Sequence, residues 1–286
     1  MPPARRSIFS EGCSMLKNAI DLHIHASPDA IPRKVTAIQA AAQAKAAGMR
    51  AIMLKNHLTP TYAYAAVASE AVPGIGVFGG VVLNAAVGGI NPGAVEAALK
   101  MGAKCVWFPT SSSEQHIRHF HVKNQTAVRV FEQDGAPCAG VMDVLALVAK
   151  ADCILAAGHL APAESERLAG LAFKAGVKKF VVTHPEFSAT RMPVDMQKRL
   201  AVRGAFFERC FYATNSSQKL PVAEIAREMR EVGWESTVLS SDFGQDFNVP
   251  PVEGLRRFLE ELARCGIPEK HLSAAVTSHP ASLLGL

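Results

Sequence analysis

The sequence has few charged residues and no closely spaced cysteines. Aspartate, glutamate, lysine and arginine make up 19% of its 286 residues, and the six cysteines form no C-x-x-C motif. Because so few charges imply a modest exposed surface for this length, we expect a homo-oligomer. Several cysteines lie within apolar segments, which predicts buried thiols in a reducing, cytoplasmic compartment and excludes a disulfide framework.

Signals for secretion, membrane insertion and nucleic-acid binding are also missing. Arg5 and Arg6 are not followed by an apolar stretch, so we expect no signal peptide. The longest charge-free segment, residues 71–95, contains many glycines as well as Asn84 and Asn91, and this composition suits buried strands and turns better than a membrane span. The basic residues give a formal net charge of +5 but are scattered, so we predict no nucleic-acid surface.

What the sequence does contain is a repeated pattern of strands and helices in a chain that is 49% hydrophobic. Most of the apolar, strand-like segments precede a segment of helical periodicity, such as 35–47 or 222–232. Eight strands in one alternation predict an α/β fold of the (β/α)8 TIM-barrel type, with an open doubly wound sheet as the alternative. The predicted strands lie near 18–25, 50–56, 75–83, 103–108, 152–157, 178–183, 204–210 and 237–242.

The unbroken alternation predicts a single domain over residues 18–286, preceded by an N-terminal extension at 1–17. A long loop insertion is expected near 109–140, and it contains His116, His119 and His121. Long loops of a compact barrel often cover the active site or bind substrate. We interpret these histidines as a solvated or lid surface, with substrate contact as the alternative.

Candidate metal ligands follow the ends of several predicted strands. His23 and His25 end the first strand, and because successive strand residues alternate between faces, both imidazoles point the same way and can hold one divalent ion. In a closed barrel the carboxyl ends of all strands meet at one mouth, where active sites are found. Further ligand-type residues at strand ends are Lys55 and His57 (second strand), His159 (fifth), His184 (sixth) and Asp242 (eighth).

With this set, the chain resembles the amidohydrolase superfamily of metal-dependent hydrolases. The C-terminal segment 279–286 is similar to the Asn-Pro-Ala-x-x-Leu-Gly-Leu ending common in that superfamily. The segments 54–57, 79–84 and 106–110 resemble more closely an uncharacterised family of amidohydrolase-like proteins. The resemblance covers residues 18–286. It implies a (β/α)8 barrel, one or two divalent ions (usually zinc, with manganese or iron as alternatives), and hydrolysis of a small-molecule amide, lactone, ester or related bond.

The resemblance also implies a role for each residue of the set. His23, His25, His159 and Asp242 would hold an ion that activates a water molecule. Asp242 would accept the proton of that water and pass it to the leaving group. His184 would either complete the metal shell or polarise the scissile carbonyl.

One departure from the superfamily leaves the number of ions open. Many relatives bridge two ions with a lysine or glutamate of the fourth strand, whereas that strand ends here in residues 107–110, Trp-Phe-Pro-Thr. Lys55 is a candidate for the missing bridge, carboxylated or not, and equally a cation that binds a substrate carboxylate or phosphate. His57 is either a ligand or a substrate contact. Glu208 is either a substrate-binding or a structural carboxylate.

Three alternatives to a hydrolase of this type stay open. His57 resembles a histidine of the PHP phosphoesterases, although Leu83-Asn84 replaces their acidic residue after the third strand. Some relatives on the same scaffold are decarboxylases, which are lyases, and a non-catalytic metal-binding or ligand-binding barrel is the third alternative. In each case we expect the partner to be a small molecule, and a locally positive pocket would favour an anionic one. We expect neither a nucleic acid nor a membrane as a partner.

Overall fold

Nine short strands run through the computed structural model, which describes residues 15–215 and 218–286. All neighbouring strands are parallel. They fall within the eight predicted segments, and the third of these, 75–83, holds both β3 and β4. The strands are β1 (Ile20–Ile24), β2 (Ala51–Leu54), β3 (Gly76–Phe78), β4 (Gly80–Val82), β5 (Cys105–Trp107), β6 (Ile154–Ala156), β7 (Phe180–Thr183), β8 (Phe206–Cys210) and β9 (Thr237–Ser240).

The break between β3 and β4 lies at Gly79, where the chain passes very close to Thr61. A Cβ atom on Gly79 would lie 2.6 Å from the carbonyl carbon of Thr61, so no other residue fits this backbone. The hydroxyl of Thr61 donates to the carbonyl of Leu54 at 2.7 Å and accepts from the N–H of Gly80 at 2.8 Å. Thr61 therefore links the end of β2 to the start of β4 across the break.

The barrel closes where the segment after β9 meets β1. The N–H of Asp242 donates to the carbonyl of His23 at 2.9 Å, and the N–H of His25 donates to the carbonyl of Phe243 at 2.8 Å. Ile24 and Phe243 form a parallel bridge. These bonds join the last strand to the first, which confirms the predicted (β/α)8 barrel over the open sheet.

Helices follow the strands and surround the barrel, as the strand–helix alternation predicts. The predicted helices at 35–47 and 222–232 correspond to α1 and α9. In the described residues the helices are α1 (Ala37–Ala46), α2 (Tyr62–Ala71), α3 (Pro92–Lys100), α4 (Glu114–Phe120), α5 (Val141–Ala151), α6 (Pro162–Lys174), α7 (Val194–Val202), α8 (Tyr212–Asn215), α9 (Val222–Val232), α10 (Pro251–Arg264), α11 (Glu269–Val276) and α12 (Ser278–Leu284), with a 3-10 turn at Ala85–Val87.

A buried apolar cluster fills the barrel and is closed at one end by the C-terminal helix. Ile20 and Trp107 from the strands share this cluster with Leu283 of α12. The ring of His279, also in α12, lies 6.3 Å from that of Phe206 at the start of β8. Because α12 covers the amino ends of the strands, the opposite end, with the carboxyl ends, is left for a pocket. Two further apolar clusters lie between the strands and the surrounding helices.

The remaining predictions about chain organisation have mixed outcomes. Most of the predicted extension, residues 1–14, lies outside the described residues, as does Cys13. The predicted insertion near 109–140 contains α4 and a bridge between Ser113 and Val128. The five cysteines that the structure describes are free thiols. Among the helices of the described residues, none has the length and hydrophobicity that crossing a membrane requires.

Candidate metal centre

A bulge in β1 determines where His23 and His25 point. The pairing register of β1 against β2 shifts between Asp21 and Ile24. The carboxylate of Asp21 accepts hydrogen bonds from the N–H of His23 at 3.0 Å and from the N–H of Ser241 at 3.2 Å. Bulges commonly re-aim side chains next to functional sites. Here the bulge brings both imidazoles to the closing seam of the barrel, beside the segment that carries Asp242.

Three potential ligand atoms converge at this seam. The Nε2 atom of His23 lies 3.0 Å from Oδ1 of Asp242, and Nε2 of His25 lies 3.1 Å from the same oxygen. One ligand atom from each residue lies within 4.8 Å of the others, and all three residues are buried. Two imidazoles and a carboxylate are a donor set typical of a divalent metal site.

The surroundings of His23 test whether a cation fits. Its Nδ1 atom lies 3.1 Å from Oε2 of Glu208. If the ring is neutral and donates its one N–H to that oxygen, Nε2 carries a lone pair and no proton. That lone pair would face the anionic oxygen of Asp242. Burial lowers the pKa of His23, but Asp242 and Glu208 raise it, and the net effect is a pKa of about 9. A divalent cation can take the place of the second proton, so the donor set fits a metal ion.

Asp242 is held in a strained backbone conformation next to β1. Its φ angle is 53°, in the left-handed region that non-glycine residues seldom occupy. Burial raises the pKa of its carboxyl, but the adjacent His23 and His25 outweigh this effect and hold the pKa well below its usual range. Asp242 is therefore an anion at neutral pH, as a metal ligand or a general base must be.

His159 and His184 form a second group at the mouth, and the ring of His184 lies 6.1 Å from that of His23. Their Nε2 atoms face each other at 3.1 Å, and Nδ1 of His159 lies 2.9 Å from Nδ1 of His116 in α4. Nδ1 of His184 lies 3.3 Å from the hydroxyl of Thr190. Burial lowers the pKa of His184 to about 3 and that of His159 well below its ordinary value, so both rings are neutral and able to bind a metal.

The single ion shared by His23, His25, His159 and Asp242 stays a prediction. His159 is not part of the group whose ligand atoms lie within 4.8 Å of one another. Its strand, β6, is the fifth of the eight barrel strands and so lies across the mouth from β1. The pairing of His159 with His184 gives the mouth two sets of donors, and their assignment as metal ligands stays a prediction.

Lys55 lies between these two groups, almost completely buried. Its side chain is fully enclosed, with 1% of the residue exposed, and Nζ lies 3.0 Å from Nε2 of His23. Within the described chain no ion pair joins Lys55 to a carboxylate, and Nζ lies 5.8 Å from the ring centre of Trp107. Burial lowers its pKa, an effect that the charges of Asp242 and Glu208 oppose.

His57 is oriented by residues from the neighbouring strand ends. Its Nδ1 atom shares a hydrogen bond of 2.8 Å with the hydroxyl of Thr110, which also accepts from the side-chain amide of Asn84 at 2.7 Å. The His57 ring lies 4.9 Å from that of His25. Thus the end of the fourth barrel strand contributes a hydroxyl that positions His57.

Glu208, for which substrate binding and a structural role are both open, does not line the pocket. It is buried behind His23, where Oε2 faces Nδ1 of that ring and Oε1 accepts from the hydroxyl of Ser240 at 2.9 Å. Glu208 lies inside β8, two residues before the strand ends at Cys210, and so sits deeper than the mouth. Its position corresponds to the structural alternative, a carboxylate that orients a neighbouring side chain.

A pocket of about 340 Å3 opens onto both histidine groups. Its volume is in the range of small-molecule sites. His23 lies below the pocket floor, whereas six of the predicted residues line the pocket: His25, Lys55, His57, His159, His184 and Asp242. The pocket wall also contains residues outside the predicted set, among them Arg33, His116, Phe120, Phe187 and Tyr212.

Of these additional residues, only His116 is a candidate in the sequence analysis. It belongs to the histidines of the insertion, for which substrate contact was the alternative interpretation, and it touches His159 directly. Arg33 lies in the loop after β1, and Phe187 lies in the loop after β7. Neither follows a strand end directly, and neither belongs to a motif, so sequence reasoning had no means of selecting them.

Comparisons with known proteins identify the family of the chain and relate its fold to solved structures. A family described as "Family of unknown function (DUF6282)" matches residues 18–208. No curated protein matches the chain. The chain is similar to a solved amidohydrolase from Pseudomonas aeruginosa, with 13% identity, a TM-score of 0.61, and coverage of 95% of this chain and 96% of the other.

Two further solved structures share the fold. A resiniferatoxin-binding protein from Rhodobacter sphaeroides has 16% identity and a TM-score of 0.62, with 95% of this chain and 91% of the other covered. A structure from the engineering of organophosphate hydrolysis activity on a weak promiscuous lactonase template has 13% identity and a TM-score of 0.61, with 96% and 98% covered. The predicted resemblance to amidohydrolase-type proteins is thereby confirmed at the level of the fold.

Proposed function

The chain belongs to the DUF6282 family, whose description assigns no reaction, and we propose from the site itself that the protein is a metal-dependent hydrolase of a small molecule. The bond cleaved is an amide, a lactone or ester, or a related C–N or C–O bond. One observation carries this proposal: ligand atoms of His23, His25 and Asp242 lie within 4.8 Å of one another beside a pocket at the barrel mouth. The fold of an amidohydrolase and of a lactonase-derived enzyme supports it.

A divalent ion would be held by His23, His25 and Asp242, and His159 and His184 would offer two more imidazole donors. A bound zinc ion supplies a Lewis acid that lowers the pKa of a water molecule to about 7. We favour zinc, with manganese and iron as alternatives, because imidazole suits these metals and two imidazoles with a carboxylate are a common catalytic zinc set. Whether the mouth holds one ion or two is read from the metal content of the purified protein.

Proton transfer is the role of Asp242. Its pKa lies far below neutrality, so the carboxylate is ionised and can accept a proton from the attacking water. It then returns this proton to the leaving group, which makes the same residue base and acid in succession. Because Asp242 lines the pocket, its carboxylate can reach both the water and the substrate.

Lys55, His57 and His184 act on the substrate from the pocket wall. We propose that Lys55 stabilises the negative charge that develops on the oxygen of the scissile bond. Its buried Nζ has no carboxylate partner in the described residues and is available for this role. His57, fixed through Thr110, orients the substrate. His184 polarises the carbonyl if one ion is bound, and completes a metal shell if two are bound.

Metal analysis tests the site. We expect elemental mass spectrometry to find one or two equivalents of a divalent ion in the purified full-length protein. The double variant His23→Ala with His25→Ala should lose at least one equivalent. A matched control is His119→Ala with His121→Ala, which removes the other His-x-His pair, in and directly after α4. Full metal content after the first double change would refute the site.

Activity assays distinguish the reaction classes. The proposal predicts turnover of lactones, cyclic imides or amides and its loss in Asp242→Asn. Release of phosphate from aryl phosphates, activated by manganese, would instead show a phosphoesterase, and carbon dioxide release from an aromatic acid would show a decarboxylase. A protein with bound metal and no turnover in any assay would be the non-catalytic barrel. The small-molecule partner, the homo-oligomeric state and the cytoplasmic location are part of the same proposal.

A further inference from the structure

The pocket contains an arginine that takes no part in the metal centre. Arg33 lines the pocket in the loop between β1 and α1, and its side chain is only 4% exposed. Its Nε atom donates to Oδ2 of Asp29 at 2.6 Å. A buried guanidinium held in this way needs a reason beyond surface charge, since buried charges are costly unless they are paired.

The backbone around Arg33 is fixed to the opposite side of the closing seam. The N–H of Lys34 donates to the carbonyl of Gly244 at 2.8 Å, and Arg33 forms an antiparallel bridge with Gln245. Arg33 therefore has a defined position relative to Asp242, two residues before Gly244. A side chain held at both its backbone and its Nε atom is preorganised, which lowers the entropic cost of binding a ligand.

The Nη edge of Arg33 is left for a ligand. A guanidinium has five N–H donors, of which Asp29 uses the one on Nε. Within residues 15–215 and 218–286, no protein acceptor bonds to Nη1 or Nη2. The two Nη atoms form the fork that binds carboxylates in a bidentate manner.

Another part of the pocket wall is aromatic. The rings of Phe120 and Phe187 lie 5.7 Å apart, and those of Phe187 and Tyr212 lie 6.4 Å apart. Phe187 also contacts His184, with ring centres 5.0 Å apart, so the aromatic wall reaches the second histidine group. Ile31, which lines the same pocket, is 50% exposed at its rim. Such a wall is suited to an apolar or aromatic group.

We propose that the substrate is a small carboxylic acid with an aromatic or apolar body, whose carboxylate binds the Nη fork of Arg33. This inference rests on the proposed function and specifies its substrate. The body packs against Phe120 and Phe187, and the scissile bond lies between the two ends, over the metal centre. A monoanionic carboxylate is preferred over a phosphate dianion because the Arg33–Asp29 pair carries no net charge, and a second negative charge on the ligand would be left without a counter-charge there.

Binding of a carboxylate and its neutral analogue tests the inference without requiring turnover. Isothermal titration calorimetry on the full-length protein compares 3-phenylpropionate with 3-phenylpropanamide, as purified and again after EDTA treatment. We expect the carboxylate to bind at least about tenfold more tightly, as a charge-assisted hydrogen-bond pair would give. The preference should survive EDTA, because Arg33 is not a metal ligand.

Two variants remove the fork. Arg33→Met should reduce the preference to about unity, but it leaves the buried carboxylate of Asp29 unpaired and so can impair folding. Asp29→Asn combined with Arg33→Met removes both charges and avoids that problem. The matched control is Lys34→Met, which removes one positive charge from the neighbouring residue. The Nζ atom of Lys34 is exposed and contacts the carbonyl of Asp246. This control should keep the wild-type preference.

Three results would overturn the inference: no detectable binding of 3-phenylpropionate by the wild type, an unchanged preference in the double variant, or tighter binding of 2-phenylethylphosphonate than of the carboxylate. The inference and the proposed function fail separately. A protein that shows the Arg33-dependent preference but hydrolyses no lactone, imide or amide refutes the hydrolase alone. A hydrolase that shows no preference refutes the carboxylate site alone.

Discussion

The Nδ1 atom of His23 lies 3.1 Å from Oε2 of Glu208, while the other ring nitrogen faces Asp242. A carboxylate in this position keeps the proton on Nδ1 and so leaves the lone pair of Nε2 for a metal. Ser240 holds Glu208 in turn, by donating to Oε1. The barrel interior therefore orients the metal ligand from below, at a point that the pocket does not reach.

Replacing Glu208 by glutamine should weaken metal binding without removing a ligand. The amide no longer favours the required tautomer of His23, and outer partners of metal-bound histidines typically change affinity about 10–100-fold. The measurement is a competition between the protein and a chromophoric zinc chelator. Glu235→Gln, at an exposed position, is the control and should bind zinc as the wild type does. Equal affinities for both variants would show that Glu208 has no part in orienting His23.

Metal binding should strengthen as the pH rises towards about 9. In the metal-free protein the pKa of His23 is raised to about 9, so at pH 7 the ring carries a proton that the incoming ion must displace. The apparent affinity should then increase about tenfold per pH unit between pH 7 and 9, and one proton should be released per ion. Calorimetry in buffers of different ionisation enthalpy counts this proton. A pH-independent affinity would mean that His23 is already neutral at pH 7.

His116 should affect catalysis by holding His159 in place. Its Nδ1 atom lies 2.9 Å from Nδ1 of His159, so one ring can donate to the other, and a His159 that donates there keeps a lone pair on Nε2, which faces His184. His116→Phe should lower the rate of hydrolysis about tenfold or more while the ion at the His23 group is kept. His119→Phe changes an exposed neighbour in the same helix and should leave the rate unchanged. Similar rates in the two variants would assign His116 to the lid alone.

The fold could be predicted from the sequence because its signal is local and repeated. Each strand is a short apolar segment, and each is buried on both faces by the barrel core and the surrounding helices. The break at Gly79 was missed because it depends on a tertiary contact with Thr61, which no local pattern contains. The sequence likewise leaves Glu208 open between a substrate-binding and a structural carboxylate, because no local pattern shows how deep a residue lies in the barrel. Depth decides whether a side chain meets the pocket or supports a ligand such as His23.

The site was predictable only where its residues directly follow strands. His25, Lys55 and Asp242 line the pocket because the barrel brings all carboxyl ends of its strands together. Arg33 and Phe187 reach the same pocket from loops, whose paths depend on contacts such as the bridge between Arg33 and Gln245. Those contacts join segments some two hundred residues apart, so the sequence shows no spacing that would reveal them.

A buried ion pair behind the β7–α7 loop should dominate the stability of that loop. Arg209 on β8 is completely buried and pairs with Glu186, which precedes the pocket residue Phe187, and its Nη2 donates to Gln197 at 3.0 Å. Arg209→Met leaves Glu186 buried without its partner, which should cost about 3–5 kcal/mol in the free energy of unfolding. Arg209→Met with Glu186→Gln should recover part of that loss, since no uncompensated charge then remains at position 186.

Chemical denaturation measures these differences, with Arg256→Met as the comparison. Arg256 in α10 pairs with Glu253 and Glu260 at a partly exposed position, and such surface pairs contribute about 0–1 kcal/mol. A cost for Arg209→Met no larger than that for Arg256→Met would contradict the argument. Because Glu186 lies two residues after His184, the Arg209 variant should also weaken substrate binding. If the ordered loop conformation, and not the charge of Arg209 itself, positions His184 and Phe187, the double variant should bind substrate better than Arg209→Met does.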